Sequence, residues 1–237
     1  HRGTRVLKID VAEIKKPVIL DIPVKLSPKH IALYRKLAKE RILELSDEEI
    51  VTAVNEQSLR QKMMQLISLP ELFLPEGEQI DNQITETIDD LIRSVDLDET
   101  KLIVFANFQK TIEIFSQRFE KYNPAILNGT ISPANKKKNE DKFKRDESCR
   151  IGLFNPRSAG AGFNFQEVCH HMIFAEPFAT PGPFKQALDR IVRPGQRNVP
   201  TIWLLRAMNT FASKRVDSLL EREGDAQKVY RDRESLL

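Results

Sequence analysis

From residue 101 onward, short apolar runs alternate with amphipathic stretches, and this rhythm restricts the fold more than any other property of the chain. LIVFA (102–106) is followed by a helical pattern over 111–121, AIL (125–127) by another over 133–144, and RIGLF (150–154) by a glycine-containing turn. HMIFA (171–175) precedes the segment QALDRIVRPGQ (186–196), and TIWLL (201–205) precedes a last helical pattern from about 210 to 222. Strands buried on both faces read as near-continuous apolar runs, and parallel neighbours need a helix between them to bring the chain back. The chain is therefore expected to be α/β, a parallel sheet with helices on both faces. Ligands of such sheets sit beyond the carboxyl ends of the strands, where the motifs discussed below are expected to fall.

Upstream the texture is helical. VILDIPVKL (18–26) alternates in part and reads as a short strand interrupted by Pro23. Ser27 and Pro28 open a helix with Ile31, Tyr34, Leu37, Ala38 and Ile42 on one face. Ser46 and Glu49 have the spacing of a capping box, which predicts a second helix from Ser46 to about Leu69, where Pro70 ends it. A third helix is expected over 84–95. The reading divides the chain into an extended linker (1–26), a helical subdomain (27–98), a sheet-bearing domain (99–224) and a polar tail (225–237). The first residue is His1 rather than Met, as expected of a piece of a longer protein.

Apolar residues make up 41% and charged residues 30%, a profile of globular rather than disordered or membrane-spanning chains. With no apolar run of about 18 residues and no secretory leader, the expectation is an intracellular protein without a membrane partner, cytoplasmic if bacterial or viral and nuclear if eukaryotic. Lys and Arg number 37 against 34 Asp and Glu, a net charge of +3, so contact with nucleic acid would need a local patch. Cys149 and Cys169 fit neither a disulfide framework nor a zinc module and read as reduced, buried thiols. His170 and His171 lack ligand spacing and read as packing or strand-end residues, so no metal is expected on this chain.

The segment QALDRIVRPGQ spaces Gln186, Arg190 and Arg193 four and three positions apart, which puts all three on one side if the segment is helical throughout. Phe184, Ala187, Leu188 and Ile191 fill the opposite side. Such a helix would rest on a core and hold two cations before something anionic, polyphosphate being the obvious candidate. Taken alone, the segment also reads as a solvated amphipathic helix with two surface arginines. The chain has no GxxxxGK[ST] loop; Gly160-Ala161-Gly162 lacks the lysine, and HMIFAEPF carries only Glu176 where an acidic pair would hold magnesium. What it offers is the complementary part, cations able to stabilise charge on a phosphoryl group held by another surface.

Several ordered segments resemble the motifs of the second RecA-like lobe of superfamily II ATPases, specifically the Swi/Snf-like DNA-dependent ATPases and, among them, the annealing-helicase (HARP-like) branch. QALDRIVRPGQ is similar to the sixth motif, QAxDRxxRxGQ, with Gln186, Asp189, Arg190, Arg193, Gly195 and Gln196 in register. NPRSAGAGFNFQ (155–166) resembles the fifth motif, STRAGGxGxNLT, retaining Arg157, Gly160, Gly162 and Asn164. FAEPFATPGPFKQA (174–187) resembles FAELFWNPGxxxQA, KLIVFANFQKTIEIF (101–115) the fourth motif, and LNGTIS (127–132) the DGxT turn. LDIPVKLSPKHIALYRKL (20–37) is similar to the stretch that precedes the lobe.

The resemblance implies a two-lobed ATP-dependent motor in which ATP and Mg2+ are held mainly by a first RecA-like lobe of the same polypeptide. Arg193 would be the arginine finger, Arg190 a second contact to the terminal phosphate, and Gln186 an aid to their placement. Gly160, Gly162, Asn164, Asp189 and Gln196 would line the nucleotide or the interlobe contact. Asn128, Gly129, Thr130 and Arg157 would touch the DNA backbone without reading sequence. Lys136, Lys137 and Lys138 stand beside that rim, as further phosphate contacts or as a solvated helix face. The lobe alone would hydrolyse little or no ATP. Departures from the pattern are Asn155-Pro156 at the Ser-Thr opening of the fifth motif, Ala179-Thr180 at an aromatic-asparagine pair, and Ala212 or Ser213 at an acidic position near the end. The alternatives are a non-catalytic RecA-like module that docks on nucleic acid or protein, and the lobe of an RNA helicase. Arg190 and Arg193 turned inward, or tied up far from the strand tips, would remove the motor reading.

Overall fold

The structure is a computed structural model that describes residues 14–40, 42–44, 50–52, 55–156, 162–176 and 181–223. The first strand, β1 (Val18–Val24), is followed by α1 (Pro28–Glu40), the short strands β2 (Ile42–Glu44) and β3 (Ile50–Thr52), α2 (Glu56–Ser68), a 3-10 turn at Pro70–Phe73 and α3 (Gln83–Arg93). Next come β4 (Lys101–Phe105), α4 (Gln109–Arg118), β5 (Ala125–Leu127), α5 (Pro133–Arg145), β6 (Ile151–Phe154), β7 (Cys169–Phe174), α6 (Pro181–Leu188), β8 (Thr201–Ala207) and α7 (Phe211–Glu223). Six strands form one sheet in the order β1-β8-β7-β4-β6-β5, and every pairing in it is parallel. The parallel α/β architecture expected from the apolar rhythm is what forms.

Two sets of side chains bury the sheet. On one face Ile22, Leu102, Val104, Leu153, Ile173, Trp203 and Leu205 pack with residues of α1, α2, α3 and α4, including Tyr34, Leu37, Ile67, Ile88 and Phe115. On the other, Ile103, Phe105, Phe154, Met172, Phe174 and Leu204 meet Phe143 of α5, Phe184 and Leu188 of α6, and Val216 and Leu219 of α7. Helices thus cover both faces, and the segment expected as a helical subdomain (27–98) shares one core with the sheet. Burying each such Leu, Ile or Phe contributes roughly 1.5–3 kcal/mol.

Two upstream expectations are corrected. Residues 18–24, read as a short strand but placed in an extended linker over 1–26, do form a strand, and it is the edge strand of the sheet, paired with β8 over all seven positions. Pro23 is tolerated there because an edge strand can lack a donor. Buried Asp21 anchors the strand by a two-pronged bond to Arg206, Nε to Oδ1 at 2.9 Å and Nη2 to Oδ2 at 2.6 Å, and Arg206 Nη1 reaches Asp217 of α7 at 2.8 Å. Burial works to lower the Arg206 pKa, but the two carboxylates hold it above the ordinary value. The second helix starts ten residues later than expected. Asn55 caps it, accepting from Ser58 N at 2.8 Å while the Ser58 hydroxyl oxygen accepts from Asn55 N at 3.1 Å. The residues before it form an antiparallel pair, β2 with β3, in keeping with the β-branched run Ile50-Val51-Thr52. Ser46 and Glu49 lie outside the described residues.

Helix α5 shows how ends are managed locally. Ser132 caps its start with Pro133 in the first turn, and Lys101 donates to the carbonyls of Phe143 and Asp146, both at 2.7 Å, at its other end. Asn139 of the same helix accepts from Ile126 N of the edge strand β5 at 3.2 Å. Cys149 and Cys169 are free and buried as expected, and burial pushes the Cys169 thiol up to about 12.

Candidate functional site

The fifth- and sixth-motif segments are joined by hydrogen bonds. Phe165 N donates to Arg190 O at 2.8 Å, Arg190 Nη1 donates to Phe163 O at 3.1 Å, and Arg193 Nη1 donates to the Asn164 side-chain oxygen. Gly162 opens this stretch with φ +121, a backbone conformation that side-chain-bearing residues rarely adopt. Arg190, Arg193, Asn164 and Gln196 are therefore brought into one neighbourhood.

Their setting differs from the expectation in three ways. First, α6 ends at Leu188, so Arg190 and Arg193 stand on the turns after the helix rather than on it. The carbonyls that a continuing helix would use are taken by other groups, Arg190 O by Phe165 N and Ile191 O by the Gln196 side chain at 3.2 Å. Secondly, Gln186 is exposed whereas Arg190 is buried, so the three do not form one polar side; the apolar side of Phe184, Ala187, Leu188 and Ile191 is buried as expected. Thirdly, the arginines are not at the strand tips. They are held by residues 163–165, which lead down to the amino-terminal start of β7, where Gln196 Nε2 also bonds Cys169 O at 3.0 Å. Arg190 is turned inward and both arginines lie away from the strand tips, which goes against the placement expected of a motor, while Arg193 remains half-buried.

The electrostatics of the pair are unusual for buried cations. Neither Arg190 nor Arg193 is in an ion pair among the described residues, and Arg190 Nε is buried without a hydrogen-bond partner. Burial lowers the Arg190 pKa, the Arg193 charge lowers it further, and Asp189 works the other way. A buried guanidinium normally has its charge met by an anion. Here the chain's described side chains do not supply one in contact.

At the carboxyl ends of the strands stand a different set of groups. Asn128, nearly buried at the tip of β5, uses its side-chain oxygen to accept from Thr130 N at 3.1 Å and from the Thr130 hydroxyl at 2.9 Å, so it shapes the turn while Gly129 and Thr130 are exposed. Of the lysines beside it, Lys137 is engaged on its own helix with Glu140 at 3.0 Å and Asp141 at 3.4 Å. Lys136 and Lys138 have no such partner among the described residues. Arg157 and Gly160 lie outside the described residues. No bond joins this rim to the arginine neighbourhood among the described residues.

Sequence reasoning missed a polar cluster at the tips of β4, β6 and β7. Glu176, 1% exposed, accepts from Asn107 N at 2.6 Å and from the Thr111 hydroxyl at 3.0 Å. Burial raises its carboxyl pKa, against the pull of donors that include Ser68 and the Asn107 and Phe108 amides. The signal in the sequence was a single acid following a strand, set aside because it lacked a second. His170 and His171 pack as expected, His171 against the Trp203 ring at 5.3 Å. No group of three or more His, Cys, Asp or Glu that could hold a metal is found among the described residues, and none of the described helices is long and apolar enough to cross a membrane.

Residues 83–195 match the helicase conserved C-terminal domain. The chain is 30% identical over 117 residues to a DNA repair and recombination protein RAD54-like of Drosophila ananassae, covering 48% of this chain and 15% of that protein. It is 24% identical over 204 residues to an uncharacterized ATP-dependent helicase of Mycoplasma genitalium (85% of this chain, 20% of that one) and 28% identical over 116 residues to the human DNA annealing helicase and endonuclease ZRANB3 (48% and 11%). The chain thus spans about a fifth or less of these relatives. Among solved structures, a Sulfolobus solfataricus SWI2/SNF2 ATPase core in complex with double-stranded DNA aligns with a TM-score of 0.65 at 22% identity, over 87% of this chain and 44% of that one. The C-terminal part of the Fun30 ATPase domain aligns with a TM-score of 0.62 at 14% identity, over 86% and 90%. Fold and motif layout together define a RecA-like helicase lobe. Within residues 83–195 the chain carries a match to the helicase conserved C-terminal domain, and its parallel sheet with flanking helices is the fold of the C-terminal lobe of SWI2/SNF2 ATPases.

Proposed function

We propose that this chain is the second lobe of an ATP-dependent DNA translocase or helicase, and that it contributes cations to a nucleotide held by a first lobe. The observation that carries this reading is the pair Arg190 and Arg193, two guanidinium groups in one neighbourhood with no ion-pair partner among the described residues, Arg190 Nε being buried and without a hydrogen-bond partner there. Such a setting suits an incoming phosphate anion. Arg193, half-buried and bonded through its side chain to the Asn164 side chain among the described residues, is the arginine finger in this reading. The inward-turned Arg190 acts first by fixing residues 163–165 and would add its charge from behind. Mg2+ and the phosphate cradle fall to the first lobe, so the lobe by itself hydrolyses little ATP.

The DNA-facing rim is formed in this reading by Gly129, Thr130, Lys136 and Lys138, with Arg157 included on the strength of the motif alone. Contacts of this kind grip phosphates and leave base edges unread. The test is the ATP turnover of the complete two-lobed protein with duplex DNA, single-stranded DNA and RNA of mixed sequence. Stimulation by DNA of any sequence is expected; no stimulation by any nucleic acid would favour a docking module, and stimulation by RNA alone would favour an RNA helicase.

A further inference from the structure

The backbone ladder that joins β6, β4 and β7 ends with Ala106 N donating to Phe154 O at 3.1 Å and Ala175 N donating to Phe105 O at 3.0 Å. One residue further out, side chains continue it. Asn155 Nδ2 donates to Asn107 O at 2.6 Å, and Asn107 N donates to Glu176 Oε2 at 2.6 Å. The exits of three adjacent strands are thus held in register by one asparagine amide, both backbone polar groups of Asn107 and one carboxylate.

Each exit leads somewhere different. Beyond Asn155 runs the fifth-motif stretch, beyond Asn107 begins α4, and beyond Glu176 the chain passes to α6 and on to Arg193. The start of α4 depends on the same carboxylate: its cap residue, Phe108, offers no side-chain bond, and the Thr111 hydroxyl donates to Glu176 Oε1 at 3.0 Å. A helix start needs a local acceptor, and an Asp, Ser or Asn at the cap would supply it. Here the acceptor comes from just beyond a neighbouring strand, while the link between the exits runs separately through the Asn107 amide to Glu176 and the Asn107 carbonyl to Asn155.

We infer that Glu176 is a positioning residue that, through the Asn107 backbone and with Asn155, ties the fifth-motif stretch on the DNA side to the segment carrying Arg193. The inference rests on the motor reading given above. Asn155 and Glu176 are each bonded to Asn107, one through its carbonyl and one through its amide, so the loss of either breaks one connection, and the loss of both breaks the same one.

The experiment uses the complete two-lobed protein and reads two quantities, the ratio of ATP turnover with and without duplex DNA, and the thermal unfolding midpoint. Glu176→Ala and Asn155→Ala are each expected to lower the ratio about tenfold or more, with the double variant no lower than the worse single one. Thr111→Val, which removes only a capping bond from the same carboxylate, is expected to keep the ratio within about twofold. If Glu176→Ala does not fold, Asn155→Ala and Thr111→Val carry the comparison. An unchanged ratio in Asn155→Ala, an equal loss in Thr111→Val, or a double variant whose loss is the product of the singles overturns the coupling. A wild-type protein that DNA stimulates while the variants match it sinks the coupling alone; a wild type that DNA does not stimulate sinks the motor reading and the coupling with it.

Discussion

Arg190 Nη1 donates to Phe163 O at 3.1 Å while Phe165 N donates back to Arg190 O at 2.8 Å, so one arginine holds the two ends of a three-residue stretch. Replacing Arg190 by methionine keeps volume but removes the donor to Phe163 O. A loss of about 1–3 kcal/mol is expected in urea unfolding, as for a buried hydrogen bond left unmade. A stability equal to wild type would mean that the guanidinium does not hold residues 163–165.

The buried Asp21–Arg206 pair makes β1 part of the sheet. Asp21→Asn leaves Arg206 with Asp217, at the half-exposed end of the network, as its one carboxylate partner among the described residues, beside the Ser213 oxygens. Removing one partner of a buried pair typically costs about 3–5 kcal/mol. Denaturant unfolding should show that loss, and Asp21→Leu with Arg206→Met should recover part of it; a wild-type midpoint in Asp21→Asn would show that β1 is not anchored this way.

Gly152 lies two residues before Phe154 on the same side of β6, and a Cβ there would sit 2.5 Å from Phe154 Cζ. That ring is fully buried, with its centroid 5.3 Å from that of Phe143 and 5.2 Å from that of Phe165, so it has little room to yield. Gly152→Ala is expected to cost about 1–3 kcal/mol and to lower Tm by roughly 2–10 °C. Calorimetry that finds no shift would contradict the packing.

His171 has its pKa lowered to about 4 by burial and by the neighbouring His170 charge. The unfolded chain therefore binds a proton more readily than the folded one between pH 6.5 and about 4. The stability from keeping the ring neutral is complete above pH 6.5 and is lost as pH falls toward 4, amounting to no more than about 3 kcal/mol. His30, lowered in the same direction, adds to the trend. His171→Phe should flatten the fall over that window in denaturant titrations; an identical pH profile would rule out the ring as its source.

The sheet was legible because strands buried on both faces announce themselves as apolar runs, and the intervening helices kept their apolar stripes. What escaped depended on partners far along the chain. The pairing of β1 with β8 spans more than 180 residues, and although VILDIPVKL reads locally as a strand, nothing local to it says which sheet it joins. Ser46-Glu49 and Asn55-Ser58 both have capping-box spacing, and the β-branched run at 50–52 decides between them. The periodicity of Gln186, Arg190 and Arg193 was real, but residues 165 and 196 take the carbonyls that would continue the helix. Glu176 looked solitary because Asn107 and Thr111 lie 69 and 65 residues upstream.

The central claim is that Arg193 serves a phosphoryl group rather than the fold. The most direct measurement is single-turnover ATP hydrolysis, beside ATP affinity, in the complete protein carrying Arg193→Ala and, separately, Arg193→Lys. The account predicts affinity within a small factor of wild type, hydrolysis slower by about 10³ to 10⁵, or roughly 4–7 kcal/mol of transition-state stabilisation, and no rescue by lysine, whose point charge lacks the planar fork. Hydrolysis at the wild-type rate in Arg193→Ala would contradict it.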